Sequence, residues 1–86
     1  MHMRKKHSDT LEAIFHTPVL SNVKWSDIEG LFISLGVKVT EGRGSRVRVF
    51  LHDRVAVFHR PHPHKETDKG ALVSVRRFLE ESGVKP

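Results

Sequence analysis

The stretch that decides the fold is Ser45-Arg46-Val47-Arg48-Val49-Phe50-Leu51-His52-Asp53-Arg54-Val55-Ala56-Val57-Phe58-His59-Arg60. From Ser45 to Leu51 the residues alternate, with Val47, Val49 and Leu51 on one face and Arg46, Arg48 and Phe50 on the other. A period of two marks a half-buried strand. His52-Asp53 leads into a second run, Arg54 to Arg60. There Val55, Val57 and His59 share one side, and Ala56 and Phe58 share the other with Arg54 and Arg60. Two strands joined by two residues make a hairpin, although no glycine favours a primed turn here. Pairing closed at 52–53 sets Arg46 opposite His59, and cross-strand partners point to one face. The apolar pattern pulls the other way. With Val55 and Val57 taken as inward, His59 turns inward with them and away from Arg46. A bulge, or a slip of one face, reconciles the two, and the sequence leaves this open.

Upstream, Val37-Lys38-Val39-Thr40 also alternates, and Glu41-Gly42-Arg43-Gly44 reads as a turn or bulge. Downstream, Pro61 and Pro63 lack ladder N–H groups, so the sheet stops and Pro61-His62-Pro63-His64 runs extended. Helices flank these strands. Over 25–35, Ile28, Leu31, Phe32 and Leu35 recur at helical spacing and Gly36 ends the run. Ser26-Asp27-Ile28-Glu29 fits a capping box, and Trp25 just before it is read as a core residue. Over 68–82, Leu72, Val75 and Leu79 form a stripe flanked by Ala71 and Phe78, with Thr67 or Asp68 as cap and Gly83 as stop. A short helix over 9–16 carries Leu11, Ile14 and Phe15, capped by Ser8 or Asp9 and ended by Thr17-Pro18. It is too short to stand alone in water and must dock on the rest.

The expected fold is therefore α+β, in the order α-α-β-β-β-α. Helices cover one face of a three-stranded antiparallel sheet. The other face keeps Arg46, Arg48, Arg54 and Arg60 and stays wet, as antiparallel sheets allow. Residues 8–84 make a single domain. Residues 1–7 read as a disordered basic tail whose Met1-His2-Met3 has the form a cloning site encodes. No repeat or second domain is visible.

At 86 residues the chain buries only about 60% of its unfolded surface, so a deep enclosed cavity is not expected. There is no cysteine, which excludes a disulfide framework, a thiolate nucleophile and thiolate-bound zinc. No apolar run reaches the length of a membrane span, and no secretory leader is present, so a soluble cytoplasmic protein is expected. The formal charge is +5. Residues 43–65 hold Arg43, Arg46, Arg48, Arg54, Arg60 and Lys65 against Asp53 alone, which matches the net charge of the whole chain. Four of the seven histidines, His52, His59, His62 and His64, fall in the same stretch. Cations held on ordered strands point to a polyanion.

The α-β-β-β-α core, Gly44-Ser45 at the start of the second strand, and Phe58-His59-Arg60-Pro61-His62-Pro63-His64-Lys65-Glu66 before a helix opening Lys69-Gly70-Ala71-Leu72 together resemble the HicA family of toxin–antitoxin systems. The resemblance covers roughly 25–84, with 8–23 as an added N-terminal helix. It implies a fold like that of double-stranded-RNA-binding domains, cleavage of mRNA without the ribosome, and a HicB-like antitoxin partner that masks the site. The family signature is Gly-Ser-His, with the histidine taken as catalytic. This chain reads Gly44-Ser45-Arg46.

RNA cleavage needs a base for the 2′-OH, an acid for the 5′-oxygen and positive charge at the phosphate. Histidine suits the first two roles, and the planar arginine fork suits the third. Arg46 stays protonated and is therefore a phosphate holder rather than a base. The base and acid are sought at His59 and His62. The expected RNA contacts are Arg43, Ser45, Arg48, Arg54, Arg60, His64 and Lys65. Gly42-Arg43-Gly44-Ser45 lacks the following helix of a P-loop and reads as a turn. His62 and His64 with Glu66 are weak zinc ligands, so neither metal nor cofactor is expected. The alternative is a non-catalytic RNA-binding domain of the same fold. No helix-turn-helix supports DNA binding. Membrane partners are not expected, and the oligomeric state is not legible.

Overall fold

The computed structural model describes residues 3–86; the first two residues of the expected tail lie outside them. Six elements follow in order: α1 (Lys5–Ile14), α2 (Trp25–Ser34), β1 (Lys38–Glu41), β2 (Arg46–Leu51), β3 (Arg54–His59) and α3 (Lys69–Glu81). This is the expected α+β order, with α1 preceding an α-β-β-β-α core.

The strands form one antiparallel sheet in the order β1-β2-β3. The β2–β3 ladder runs unbroken from Leu51↔Arg54 to Arg46↔His59. Thus Arg46 and His59 are partners, as counting across the turn predicts, and no bulge is needed. His52 takes a positive φ of 54° to make the turn. What slips is the face assignment of β3. Ladder parity turns Phe58 and Ala56 inward with Val47 and Val49, and turns Val55 and Val57 outward with Phe50 and Arg48. Phe58 is 5% exposed, whereas Val55 and Val57 are 58% and 51% exposed. The larger ring occupies the core, and two valines face water.

The inward face of the sheet carries Val47, Val49, Leu51 and Phe58, all buried. Trp25, Phe32, Phe58 and Phe78 meet there, with ring centroids 5.8–6.4 Å apart and mostly edge-to-face or tilted. Burying such side chains contributes about 1.5–3 kcal/mol each. Trp25 is thus a core residue, as read from the sequence.

Helix ends depart from the local rules. No capping box forms at α2. The helix begins at Trp25 with Lys24 as N-cap, and no side chain caps it. The cause is tertiary: Trp25 N–H donates to the Lys65 carbonyl (3.0 Å) and Thr67 N–H to the Val23 carbonyl (2.7 Å), pinning the entry of α2 to the segment before α3. Asp68 caps α3 by accepting from Ala71 N–H at 2.8 Å. Helix α1 starts at Lys5 rather than Asp9, so Lys5, Lys6 and His7 of the expected tail form its first turn. Lys5 pairs with Asp9 there (3.0 Å). The helix docks through Leu11 and Ile14, both in the core. Arg76 of α3 donates to the carbonyls of Ile14 and His16, each at 2.8 Å.

Candidate nucleic-acid interface

Ladder parity decides which side chains meet on the outer face of the sheet. Register places Lys38 and Thr40 of β1, Arg46, Arg48 and Phe50 of β2, and Val55, Val57 and His59 of β3 on it. No carboxylate stands among them. Arg43, Arg46 and Arg48 make no ion pair with the described residues. The face is therefore a surface of uncompensated positive charge around an apolar strip.

Arg46 and His59 are cross-strand partners on this face. Arg60 N–H donates to the Ser45 carbonyl at 2.8 Å, so the 45–60 pair is a hydrogen-bonded one. The adjacent pair 46–59 is then non-hydrogen-bonded, the kind in which Cα atoms approach to about 4.5 Å and side chains lie closest. A guanidinium and an imidazole stand side by side on an exposed surface.

The turn before β2 presents the next cation. Gly42 N–H donates to the Arg46 carbonyl (2.9 Å) and Arg46 N–H to the Arg43 carbonyl (3.1 Å). Gly44 sits at φ 61°, a left-handed position that costs an L-residue about 1–2 kcal/mol. At Gly42 a Cβ would come within 3.0 Å of the Arg46 Cβ. Glycine is thus needed for the loop to close tightly under Arg46. The result is a recess of about 360 Å³ lined by Gly42, Arg43, Arg46, Arg48 and Val57. Ser45 is exposed on the same turn.

Two expected contacts are not on this face. Arg54 opposes buried Leu51, so parity aims it to the helix side, where its Nη1 lies 3.8 Å from Glu81 Oε1 at the end of α3. Arg60 follows the same parity and is clamped. Its Nε donates to Glu29 Oε2 (2.7 Å), Nη2 to Glu29 Oε1 (3.1 Å) and Nη1 to Glu41 Oε1 (2.7 Å). Trp25 Nε1 donates to the same Glu29 carboxylate. The hydrogen bond and charge of Arg60 hold Glu41 below the usual carboxylate value, and the two carboxylates push the Arg60 guanidinium still further from neutrality. The Glu29 carboxylate, expected to cap α2, is engaged here instead.

His62, His64 and Lys65 are exposed on the segment after β3. His64 and Lys65 line a second recess of about 420 Å³ with Ser26, Arg60 and Pro63. The structure therefore gathers Arg43, Arg46, Arg48 and His59, sets His64 and Lys65 apart at the end of β3, and withdraws Arg54 and Arg60. Sequence reasoning missed Lys38, the exposed valines and the two glutamates that hold Arg60. Register counting alone would have found the valines. Among the described residues no three His, Cys, Asp or Glu gather in a metal-holding group, and no helix is long and apolar enough to cross a membrane.

The sequence pattern of a family described as "HicA toxin of bacterial toxin-antitoxin" matches residues 25–84. The chain belongs to the HicA toxin family. The match spans the α-β-β-β-α core and the whole candidate face, and begins at the first residue of α2. No curated protein and no solved structure matches the chain. As a HicA-family protein it is a toxin of a toxin–antitoxin system.

Proposed function

We propose that this toxin is a cytoplasmic endoribonuclease of a type II system, which binds mRNA on the outer sheet face and is neutralised by a HicB-like antitoxin. The observation that carries the reading is the Arg46–His59 pair on a face of unpaired cations. His59 takes the proton from the ribose 2′-OH, and the 2′-oxygen attacks phosphorus. The P–O5′ bond breaks with its electron pair on O5′, which takes a proton from His62. The products are a 2′,3′-cyclic phosphate and a 5′-hydroxyl. Arg46 and Arg48 hold the non-bridging oxygens, where charge develops in the transition state. Arg43 and Ser45 hold the backbone beside them, while His64 and Lys65 take the strand past the end of β3. No cofactor enters this scheme.

The test is incubation of the purified protein with RNA in the presence of EDTA. Cleavage is expected, with loss of it in His59→Ala while RNA affinity is kept. Binding without cleavage would favour the second reading, a non-catalytic RNA-binding domain. The specific observation behind that reading is Gly44-Ser45-Arg46, an arginine where the family places its base. Co-purification with a HicB-like protein tests the partner separately.

A further inference from the structure

The sheet has two outer edges, and they are built differently. β1 has four residues and carries Lys38 and Glu41 at its ends. Short, charged edges resist pairing with another chain. β3 has six residues in an unbroken ladder, with neither proline nor lysine among them. Its closing pair, Leu51–Arg54, flanks a two-residue turn, and the Arg60 N–H bond to Ser45 continues the same parity. Arg54, Ala56 and Phe58 therefore aim their N–H and C=O groups at β2. Val55, Val57 and His59 aim theirs outward. Two of these three are among the most exposed large apolar residues of the protein. A recess of about 230 Å³ lies between this edge and α3, and both Arg54 and Arg77 line it. Arg77 has no ion pair with the described residues, and Glu81 is turned to Arg54.

We infer that the outer edge of β3 takes up an extended acidic segment of the antitoxin as a fourth strand. The inference rests on the family pairing of toxin with antitoxin. Main-chain bonds to Val55, Val57 and His59 would give affinity, and alternating side chains would give specificity. On the outer face those side chains neighbour Val55, Val57 and His59, with the cations of β2 one strand further away; on the other they neighbour Arg54 and Arg77. Apolar and acidic residues in alternation fit both. A second copy of this chain fits poorly. A twofold at Val57 would set Arg54 against Arg60 and bring together two chains of +5 each. A strand so placed lies against His59, so docking and access to the Arg46–His59 pair exclude each other.

The probe is a short peptide of alternating glutamate and valine, added to the intact protein and followed by amide hydrogen exchange. Slowed exchange at Val55, Val57 and His59, with Ala56 and Phe58 unchanged, is expected. The same peptide N-methylated at alternate residues should lose this protection, which leaves the protein itself unaltered. Binding should weaken in Val57→Pro, since proline at 57 removes an outward donor and no ladder bond. Peptide shifts confined to Arg46 and Arg48, or no protection at all, would overturn the inference. So would protection of the same three amides without peptide that grows with protein concentration, which would make a second copy the occupant. These outcomes are read without RNA, so they stand apart from the ribonuclease test.

Discussion

The Arg60 guanidinium grips the Glu29 carboxylate with two nitrogens, at 2.7 and 3.1 Å, across 31 residues of chain. The grip fastens the end of β3 to α2 and takes one arginine out of the pool proposed to meet RNA. Arg60→Ala should lower stability by about 1–2 kcal/mol, the net worth of charge-assisted bonds at a partly exposed site. Arg60→Lys should recover little, because a lysine has no planar fork. Urea unfolding checks both. The salt slope of RNA affinity in Arg60→Ala should equal that of the unaltered protein.

Arg46 and Arg48 should behave in the opposite way. Each has no acidic partner among the described residues and faces solvent, so Arg46→Ala or Arg48→Ala should leave stability within about 0.5 kcal/mol. Each should reduce the slope of log affinity against log salt by about 0.7, one phosphate contact to a single strand. A slope unmoved by either change would show that the face meets something other than a phosphate backbone.

The acid limb of stability should report Glu41. Its hydrogen bond and charge interaction with Arg60 lower its value in the folded chain from the ordinary 4.5. A carboxyl lowered on folding adds stability above its unfolded value and loses it as pH falls through the folded one. Thermal melting of Glu41→Gln and the unaltered protein should therefore differ most near neutral pH. The gap should close below pH 4.5. A gap constant down to strong acid would mean the carboxylate charge is not what Arg60 uses.

Gly42 offers a test of how the turn places Arg46. In Gly42→Ala the new Cβ would meet the Arg46 Cβ at 3.0 Å and its carbonyl at 3.3 Å. The turn must open, at a cost of about 1 kcal/mol. Amide shifts should spread to Arg46 and His59, and RNA affinity should fall. Gly44→Ala is expected to cost stability through its φ of 61° without pressing on Arg46, since nothing lies within 4 Å of its Cβ. Equal loss of affinity in both would point to general loosening of the loop.

The hairpin was legible because two rules coincided in β2: side-chain type and ladder parity both turn Val47 and Val49 inward. In β3 the rules conflict. Val55 and Val57 prefer burial by type, but a two-residue turn fixes their side, and Phe58 on the other side fills the core. Glu29 shows a second limit. A capping rule looks three residues back, whereas its partner stands 31 residues ahead. The start of α1 was invisible because a solvated first turn carries no apolar period; Lys5 and Lys6 are both exposed. For the site, residue type nominated Arg46, Arg48 and His59, and pairing sets all three on the outer face. Only pairing showed that Arg54 and Arg60 belong to another side of the sheet.

Helix α1 lies ahead of the family segment, yet Ile14 is fully enclosed among its side chains, and Arg76, within that segment, closes on the carbonyls of Ile14 and His16. The piece that kinship recognises and the piece that shares one core have different borders here. A chain trimmed to begin at Trp25 would be cut through its interior, with an oily socket laid open and a guanidinium left without its carbonyls.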